Sequence, residues 1–369
     1  MLMPSRRRIL LGGIAAALLP RLAGATPGPE GLFLSARADD SGVRYFASLF
    51  DAAGRARLDL PLPDRGHGAA VDPARETAVL FARRPGTFAV VVDLAGPALQ
   101  RQINSPAGRH FSGHGVFSGD GRMLYATETD FEQDRGVIGI YDAEAGFRRL
   151  GEFDSGGLDP HELLWLSDRR TLVIANGGIL TRPEFPRAKL NLPTMESTLT
   201  YAEASTGRVL EQVGLPRALR QVSLRHLAVT ADDEVAVVCQ HEGLPLDRVP
   251  LVFLHRRGGA LRPLAAPAGR FEALGNYVGS AVFDRTDRVL AISCPRGSRV
   301  LLWERTSGAF LGEAPVPDGC GLAALPEGGF LASSGQGGAL VVSATGDVED
   351  RLATPFLLAG RWDNHLLAL

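Results

Sequence analysis

The sequence predicts an all-β fold, a seven-bladed β-propeller with four-stranded blades. Three observations predict it. Short apolar segments alternate with turn residues along the chain, His67, His114 and His161 recur at intervals of 47 residues, and the two ends of the chain resemble complementary parts of one blade. Four-stranded repeats of about 40–50 residues are typical of propeller blades.

Each repeat begins with a short apolar strand, turns at Asp or Gly, and continues with a second apolar strand. Residues 114–117 and 123–127 show this pattern clearly. Apolar runs of this length between turn residues indicate strands. The interval from His161 to His226 is longer because it contains an insertion at residues 177–198. We therefore place the first strands of the blades near residues 67, 114, 161, 226, 280, 321 and 365.

The two ends of the chain complete the count of blades. Residues 364–369 resemble a first strand with nothing after it, and residues 32–63 resemble a second, third and fourth strand without a first. Joining the two ends in one blade closes the ring and removes exposed sheet edges. Stacked sandwiches or two separate barrels would not explain complementary ends, so we expect one propeller domain over residues 26–369.

The first 25 residues resemble an export signal. The segment Ser5-Arg6-Arg7-Arg8-Ile9-Leu10-Leu11 is similar to the twin-arginine motif, an apolar run follows, and Ala23-Gly24-Ala25 suits a signal peptidase. The apolar run is shorter than the roughly 20 residues that cross a bilayer. We therefore expect cleavage after residue 25, a periplasmic location, and no membrane span in the mature protein.

Charge and cysteine content exclude several classes of protein. The formal net charge is −2, and removal of residues 1–25 leaves about −6, so no basic field attracts nucleic acid. The chain has no C-x-x-C motif, which argues against covalently bound haem of the c type.

The three cysteines also predict a pairing. In an oxidising periplasm, one disulfide and one buried thiol are the simplest arrangement. We expect a Cys294–Cys320 disulfide, a buried Cys239, and a monomer.

Five of the eight histidines occupy equivalent positions in the repeats. The first strand of each propeller blade lines the central channel, so these histidines are expected to ring one mouth of it. Two to four of them, with Glu128, would suit a transition metal such as iron, copper or zinc. They are His67, His114, His161, His226 and His365. Two other interpretations stay open: the imidazoles hold the ring closed through backbone carbonyls, or they contact an organic or protein ligand.

The ends of the second strands should add polar groups to the same mouth. The candidate ligand-binding residues among them are Arg37, Arg83, Asn176 and Gln240, and Glu128 shares their position in the repeat. Cys294 and Ser334 occupy it in the remaining blades. The insertion departs from this face, and long loops there are usually functional covers. We interpret it as a lid whose Arg187 and Lys189 meet an anionic ligand.

An enzymatic function is the alternative to metal or ligand binding. A rim histidine would act as a general base, oriented by Glu162 or Asp159, in a hydrolase, a lactonase-like enzyme or a redox enzyme. The chain has no G-x-S-x-G elbow, H-E-x-x-H motif or P-loop. A scaffold that docks a partner on the top face is a third hypothesis.

Several motifs along the chain are recognisable together: Glu128-Thr129-Asp130, Asp159-Pro160-His161-Glu162-Leu163, Asn176-Gly177-Gly178-Ile179, Lys189-Leu190-Asn191, Ser223-Leu224-Arg225-His226 and Trp362-Asp363-Asn364-His365. With these motifs the chain resembles a bacterial family that is labelled only as a domain of unknown function. The resemblance covers the whole chain after the signal, and a histidine often stands in that family where this chain has Arg182. Members are commonly encoded near imelysin-type proteins and di-haem-type oxidoreductases, which implies a role in periplasmic metal acquisition with metal-uptake proteins as partners.

Overall fold

The computed structural model describes residues 31–96, 98–185 and 188–369. These residues form seven antiparallel sheets, and each sheet is one blade of a seven-bladed propeller. The predicted fold class is thereby confirmed. The predicted export signal at residues 1–25 lies outside the described residues. No helix within the described ranges is long and apolar enough to cross a bilayer.

The first four blades follow one another along the chain. Blade 1 contains β4 (Gly66–Val71), β5 (Thr77–Ala82), β6 (Phe88–Asp93) and β7 (Ala98–Asn104). Blade 2 contains β8 (Arg109–Phe117), β9 (Met123–Asp130), β10 (Arg135–Asp142) and β11 (Arg148–Asp154). Blade 3 contains β12 (Pro160–Trp165), β13 (Thr171–Asn176), β14 (Thr198–Glu203) and β15 (Val209–Gly214). Blade 4 contains β16 (Val222–Val229), β17 (Val235–His241), β18 (Val252–His255) and β19 (Arg262–Pro263).

The remaining blades include the one that joins the two ends of the chain. Blade 5 contains β20 (Ser280–Phe283), β21 (Val289–Cys294), β22 (Arg299–Glu304) and β23 (Phe310–Pro315). Blade 6 contains β24 (Gly319–Ala324), β25 (Phe330–Ser334), β26 (Ala339–Val342) and β27 (Val348–Leu352). Blade 7 contains β28 (Gly360–Trp362) and β29 (Leu367–Ala368) with β1 (Leu32–Asp39), β2 (Tyr45–Asp51) and β3 (Ala56–Leu62). Short helices are α1 (Arg270–Ala273) and α2 (Pro355–Leu358), and 3₁₀ turns are Leu192–Thr194, Arg217–Leu219 and Pro295–Gly297.

The closing blade has the composition that the sequence predicts. Strand β1 pairs on one side with β2 and on the other with β28 and β29, so Phe33 lies opposite Ala368 and Arg37 opposite Trp362. The Trp362 indole contacts Phe50 edge-on and donates its Nε1–H to the carbonyl of Leu357. The inner strands of blade 7 therefore come from the last residues of the sequence, and its other three strands come from residues 32–62.

The hydrophobic core lies between neighbouring blades. The two middle strands of each blade are covered on both faces, which explains their almost continuous apolar runs. Strand β5, for example, is buried from Ala78 to Ala82, whereas the outermost strand β7 is almost entirely exposed. Phe81 of blade 1 packs edge-on against Phe111 of blade 2, at 5.7 Å between ring centroids. Because each blade buries its faces against its neighbours, the ring holds the channel side chains on a rigid frame.

The inner strands that carry the histidines are irregular. The pairing register shifts between Gly66 and Ala69, between Phe111 and Gly115, between Pro160 and Glu162, and between Leu224 and His226. Such bulges bend a strand and redirect a side chain, and they are common next to functional sites. Of the two inner strands that lack a histidine here, that of blade 5 pairs without a shift, whereas that of blade 6 shifts between Gly319 and Leu322.

The predicted Cys294–Cys320 disulfide is wrong, because Cys239, Cys294 and Cys320 are all free and buried. Cys294 ends β21 inside the core that blades 4 and 5 share. The Cys320 sulfur instead lies near the Asp318 carboxylate of blade 6, at 3.9 Å. The repeat register predicts that Cys294 and Cys320 lie on the same side of the ring. It does not predict that the Cys294 side chain enters the hydrophobic core while the Cys320 side chain lies near a carboxylate.

The free thiols lead to a measurable expectation. Burial raises the pKa of each cysteine, so little thiolate is available to react in the folded protein. We expect no thiol to react with Ellman's reagent under native conditions and all three to react in guanidinium chloride without a reductant. Cys294→Ala should lower the number of thiols that react in guanidinium chloride from three to two. Detection of a single thiol in the unfolded wild-type protein would show that two cysteines are paired.

Candidate metal centre

Five imidazole rings from different blades meet inside the channel. They belong to the histidines that share one repeat position: His67, His114, His161, His226 and His365. Nine pairs of these rings have centroid distances between 4.5 and 6.3 Å. The channel is therefore narrow enough at this level for rings from non-adjacent blades to meet. The five rings form one compact cluster, more than one ring thick, which we call the histidine layer.

The layer contains two overlapping sets of three potential metal ligands. His67, His114 and His161 form one set, and His114, His226 and His365 form the other. Within each set the candidate ligand atoms lie within 4.8 Å of one another. A tetrahedral ion with metal–nitrogen bonds of about 2.0–2.1 Å needs nitrogen atoms about 3.4 Å apart. Small rotations of the imidazoles would therefore be enough to close on one ion.

Two glycines allow His67 and His114 to approach each other so closely. A Cβ atom on Gly68 would lie 2.7 Å from Cδ2 of His114, and one on Gly113 would lie 2.6 Å from Cδ2 of His67. Gly113 also has a φ of 108°, a conformation that residues with a side chain rarely adopt. Any larger residue at either position would separate the first two imidazoles of the layer.

The histidines are uncharged at neutral pH. Burial lowers the pKa of His67 to about 4 and that of His114 to about 3. Burial also lowers the pKa of His161, His226 and His365 well below the usual value, since a charged ring is poorly solvated there and neighbouring rings would repel it. Neutral imidazole is the form that coordinates transition metals.

Two carboxylates lie beside members of the layer, and one of them binds a histidine. Oδ1 of Asp363 lies 2.7 Å from Nδ1 of His67, which therefore carries the proton and leaves Nε2 with a free lone pair. Oε2 of Glu162 lies 3.5 Å from Nδ1 of His226 without a hydrogen bond to it and accepts the backbone N–H of Leu227. A carboxylate behind a histidine is a recurrent arrangement around protein metals, because it fixes the ring and strengthens the ligand.

The histidine layer separates two cavities in the channel. The upper cavity has a volume of about 830 Å³, and its floor includes His67, His161 and His226. The lower cavity has a volume of about 710 Å³ and meets the layer at His67, His114 and His365. The predicted position at one mouth is thus refined to a layer within the channel, reached from both sides.

Comparison with known proteins identifies the family. The model of a family described as a protein of unknown function, DUF1513, matches residues 60–369. The chain belongs to this family. No curated protein matches it. Among solved structures it is similar to the hydrazine synthase of Kuenenia stuttgartiensis, with 16% identity and a TM-score of 0.59 over 79% of this chain and 90% of that chain. At this identity the likeness concerns the fold alone.

Three of the other predicted site residues of this DUF1513 protein line the upper cavity: Arg83, Lys189 and Gln240. Lys189 pairs with Glu242, and Gln240 donates to the carbonyl of Val278 at 3.2 Å. Arg83 directly follows the last residue of β5, and its side chain lines the cavity beyond the end of the strand. Of the predicted second-strand ends, Arg83 and Gln240 therefore reach the upper cavity, whereas Lys189 reaches it from the insertion.

Arg37, Glu128 and Asn176 do not line the upper cavity, and each has hydrogen-bond partners in the sheets. Arg37 lines a neighbouring cavity of about 490 Å³, which also includes Arg83. The Arg37 guanidinium pairs with Asp59, and the Asn176 amide donates to Thr198 and Thr200. The Glu128 carboxylate accepts from Tyr141 and Arg149 and is completely buried. The structure therefore does not bring Glu128 to the histidines. Side chains alternate between the two faces of a strand, and Glu128 lies within β9, where its side chain enters the sheet interface.

The insertion between β13 and β14 forms part of the cavity wall. Thr181 and Lys189 are its residues that line the upper cavity, while Arg182 donates to the carbonyl of Phe131 and pairs with Asp134. The insertion thus bridges from blade 3 to both neighbouring blades. Arg187, the other predicted ligand-binding residue of this segment, lies outside the described residues.

Sequence reasoning missed two charged residues that flank histidines. Asp363 orients His67, and Arg225 lies beside His161, with its Nη1 3.4 Å from the imidazole Nδ1. Asp159, which we considered as an orienter of a rim histidine, binds Arg84 at 2.5 Å and Arg225 at 2.8 Å instead. The available signal was position in the sequence, because Arg225 and Asp363 lie one and two residues before a channel histidine. The pairing of β16 shifts beside Arg225.

Proposed function

We propose that this protein binds a transition metal, iron, copper or zinc, in the histidine layer and serves metal uptake in the periplasm. One observation carries the proposal. Five uncharged imidazoles converge in a buried channel, with ligand atoms in two overlapping triads no more than 4.8 Å apart. A nitrogen-rich set of this kind suits the metals named and disfavours magnesium or calcium, which prefer oxygen ligands.

The hydrogen bonds of the layer favour a ligand role over a purely structural one. If the imidazoles only held the ring closed, each would use its ring nitrogens on backbone carbonyls. Within the described residues, four buried ring nitrogens have no hydrogen-bond partner instead: Nε2 of His67 and His161, and Nδ1 of His114 and His226. Buried polar atoms are normally satisfied, and exceptions occur at functional sites.

Two features of the sequence support a periplasmic location and a role in metal uptake. The twin-arginine-like segment at residues 5–11 would export the protein after folding. The resemblance to a family encoded near imelysin-type proteins is the basis for linking the site to metal acquisition. Periplasmic metal-uptake proteins are the partners that we propose on this basis.

Metal titration of the purified protein tests the proposal. We expect the metal-free protein to take up about one Cu²⁺, Zn²⁺ or Fe²⁺ per chain, measured by isothermal titration calorimetry and elemental analysis. His114 belongs to both triads, so His114→Ala should weaken binding by at least about 100-fold. His255→Ala is the matched control, because His255 bonds Tyr201 in the outer part of blade 4 and should leave binding unchanged. No uptake by the wild-type protein, or equal uptake by His114→Ala, would contradict the proposal.

A further inference from the structure

We infer that the upper cavity binds a small polyanion, a molecule with two or more carboxylate or phosphate groups. The inference goes beyond the metal site, because it concerns the walls of the cavity and not the histidine floor. Six cationic side chains line the cavity and come from the insertion, from blades 1, 4 and 5, and from the connection before β4: Arg65, Arg83, Arg84, Lys189, Arg225 and Arg296. A volume of about 830 Å³ suits a ligand of small-molecule size.

Carboxylates neutralise only part of this charge. Within the described residues, the six cations face three partners: Asp363 binds Arg65, Asp159 binds Arg84 and Arg225, and Glu242 binds Lys189. The floor adds no charge, since its imidazoles are neutral. The cavity therefore carries an excess of about three positive charges within low-dielectric walls, which concentrate the field.

Arg83 and Arg296 are the cations available to a ligand. In the part of the chain that the structure describes, neither has a carboxylate within 4.0 Å. The Arg296 guanidinium lies over the Tyr277 ring, 4.4 Å from its centroid, and donates a long bond to the carbonyl of Gly275 at 3.3 Å. A stacked guanidinium is held in place while its outer N–H groups stay free. Such a group is suited to bidentate recognition of a carboxylate or phosphate.

A third guanidinium has an unused donor in the same wall. Arg225 is only 4% exposed, its Nη1 binds Asp159, and its Nε has no hydrogen-bond partner within the described residues. A buried charged donor without an acceptor is costly, and an anion in the cavity would supply one. Tyr277 and Gln240 add polar groups to the wall, so the lining suits a ligand with several oxygen atoms.

Anion binding to the metal-free protein tests this inference. The probes are citrate, for carboxylates, and pyrophosphate, for phosphates, with acetate at equal ionic strength as the monovalent comparison. We expect citrate or pyrophosphate to bind at least tenfold more tightly than acetate, measured by calorimetry, and the tighter of the two identifies the preferred group. We expect Arg83→Gln/Arg296→Gln to weaken this binding at least tenfold, because two charged contacts are lost.

Two controls keep the result specific. Arg122→Gln removes an exposed arginine that pairs with Glu144 outside the cavity and should bind the anion as wild type does. His114→Ala removes a residue that faces the lower cavity, so it should lose metal and retain the anion. This variant distinguishes failure of the anion site from failure of the proposed metal function. Equal affinity for acetate and both polyanions, or unchanged binding by a correctly folded double arginine variant, would overturn the inference.

Discussion

Acidification from about pH 7 to about pH 4.5 is expected to unfold the metal-free protein through its channel histidines. In the folded state the pKa is about 4 for His67 and about 3 for His114, and that of the other three channel histidines also lies well below the ordinary value of about 6.5. The unfolded chain therefore binds protons below about pH 6.5, whereas the folded protein does not.

The direction and size of the effect follow from this difference. A depressed histidine pKa stabilises the fold fully above about pH 6.5, and that stability is lost as the pH falls towards the folded-state value. Each histidine contributes up to about 1.4 kcal/mol per pH unit in this window, against a total stability of about 5–15 kcal/mol for a typical domain. The charged groups that face the layer are Asp363, Glu162, Arg83 and Arg225. The pKa of Asp363 is lowered as well, so its protonation adds to the loss at still lower pH.

Urea unfolding at a series of pH values provides the measurement. The unfolding free energy should fall steadily below about pH 6.5, and His114→Gln should reduce the slope by about 1.4 kcal/mol per pH unit, because one proton fewer is taken up on unfolding. A saturating transition metal should raise the free energy at every pH in this range and leave its slope unchanged, because the folded protein has neutral histidines with or without the metal. A stability that stays level between about pH 7 and pH 5 in the metal-free protein would contradict the expectation.

Replacing Asp363 by asparagine is expected to lower both stability and metal affinity. The Asp363 carboxylate is 3% exposed and accepts bonds from Arg65 at 2.6 Å, from His67 at 2.7 Å and from the backbone N–H of Asn364 at 2.8 Å. Removing one member of a buried charged network costs about 3–5 kcal/mol. Loss of the carboxylate that orients a metal-binding histidine typically weakens metal binding about 10–100-fold.

The two effects are separable by measurement. Urea unfolding at pH 7 reports the stability, and calorimetry with the metal that binds the wild-type protein reports the affinity. Glu144→Gln is the control, because the Arg122–Glu144 pair is exposed on both sides and should contribute less than about 1 kcal/mol. An Asp363→Asn variant as stable as this control and with wild-type metal affinity would show that the carboxylate has neither role.

The fold was largely predictable because the repeat is visible in the chain. The 47-residue interval between histidines matches the succession of β4, β8 and β12, and each predicted first strand corresponds to an inner strand. The closing blade was also predictable, since residues 32–63 and the last residues of the chain are complementary. These features depend on strand order and periodicity, which a single sequence displays directly.

The site was only partly predictable because its details depend on strand irregularities. The periodicity places five histidines at one level, but the bulges that direct their rings inward have no signature in the spacing. Glu128 shares a register position with Gln240, yet it binds Tyr141 and Arg149 within its blade. Asp363 and Arg225 stand in motifs that the sequence displays, but their roles were not predictable because they depend on contacts with distant parts of the chain.

The composite seventh blade makes the binding site depend on closure of the ring. Both His365 and Asp363 belong to the short segment between β28 and β29, and both of these strands pair with β1. Where that pairing is lost, the other four histidines lack the fifth ring and the carboxylate behind His67. Metal affinity should therefore report whether the seventh blade has formed.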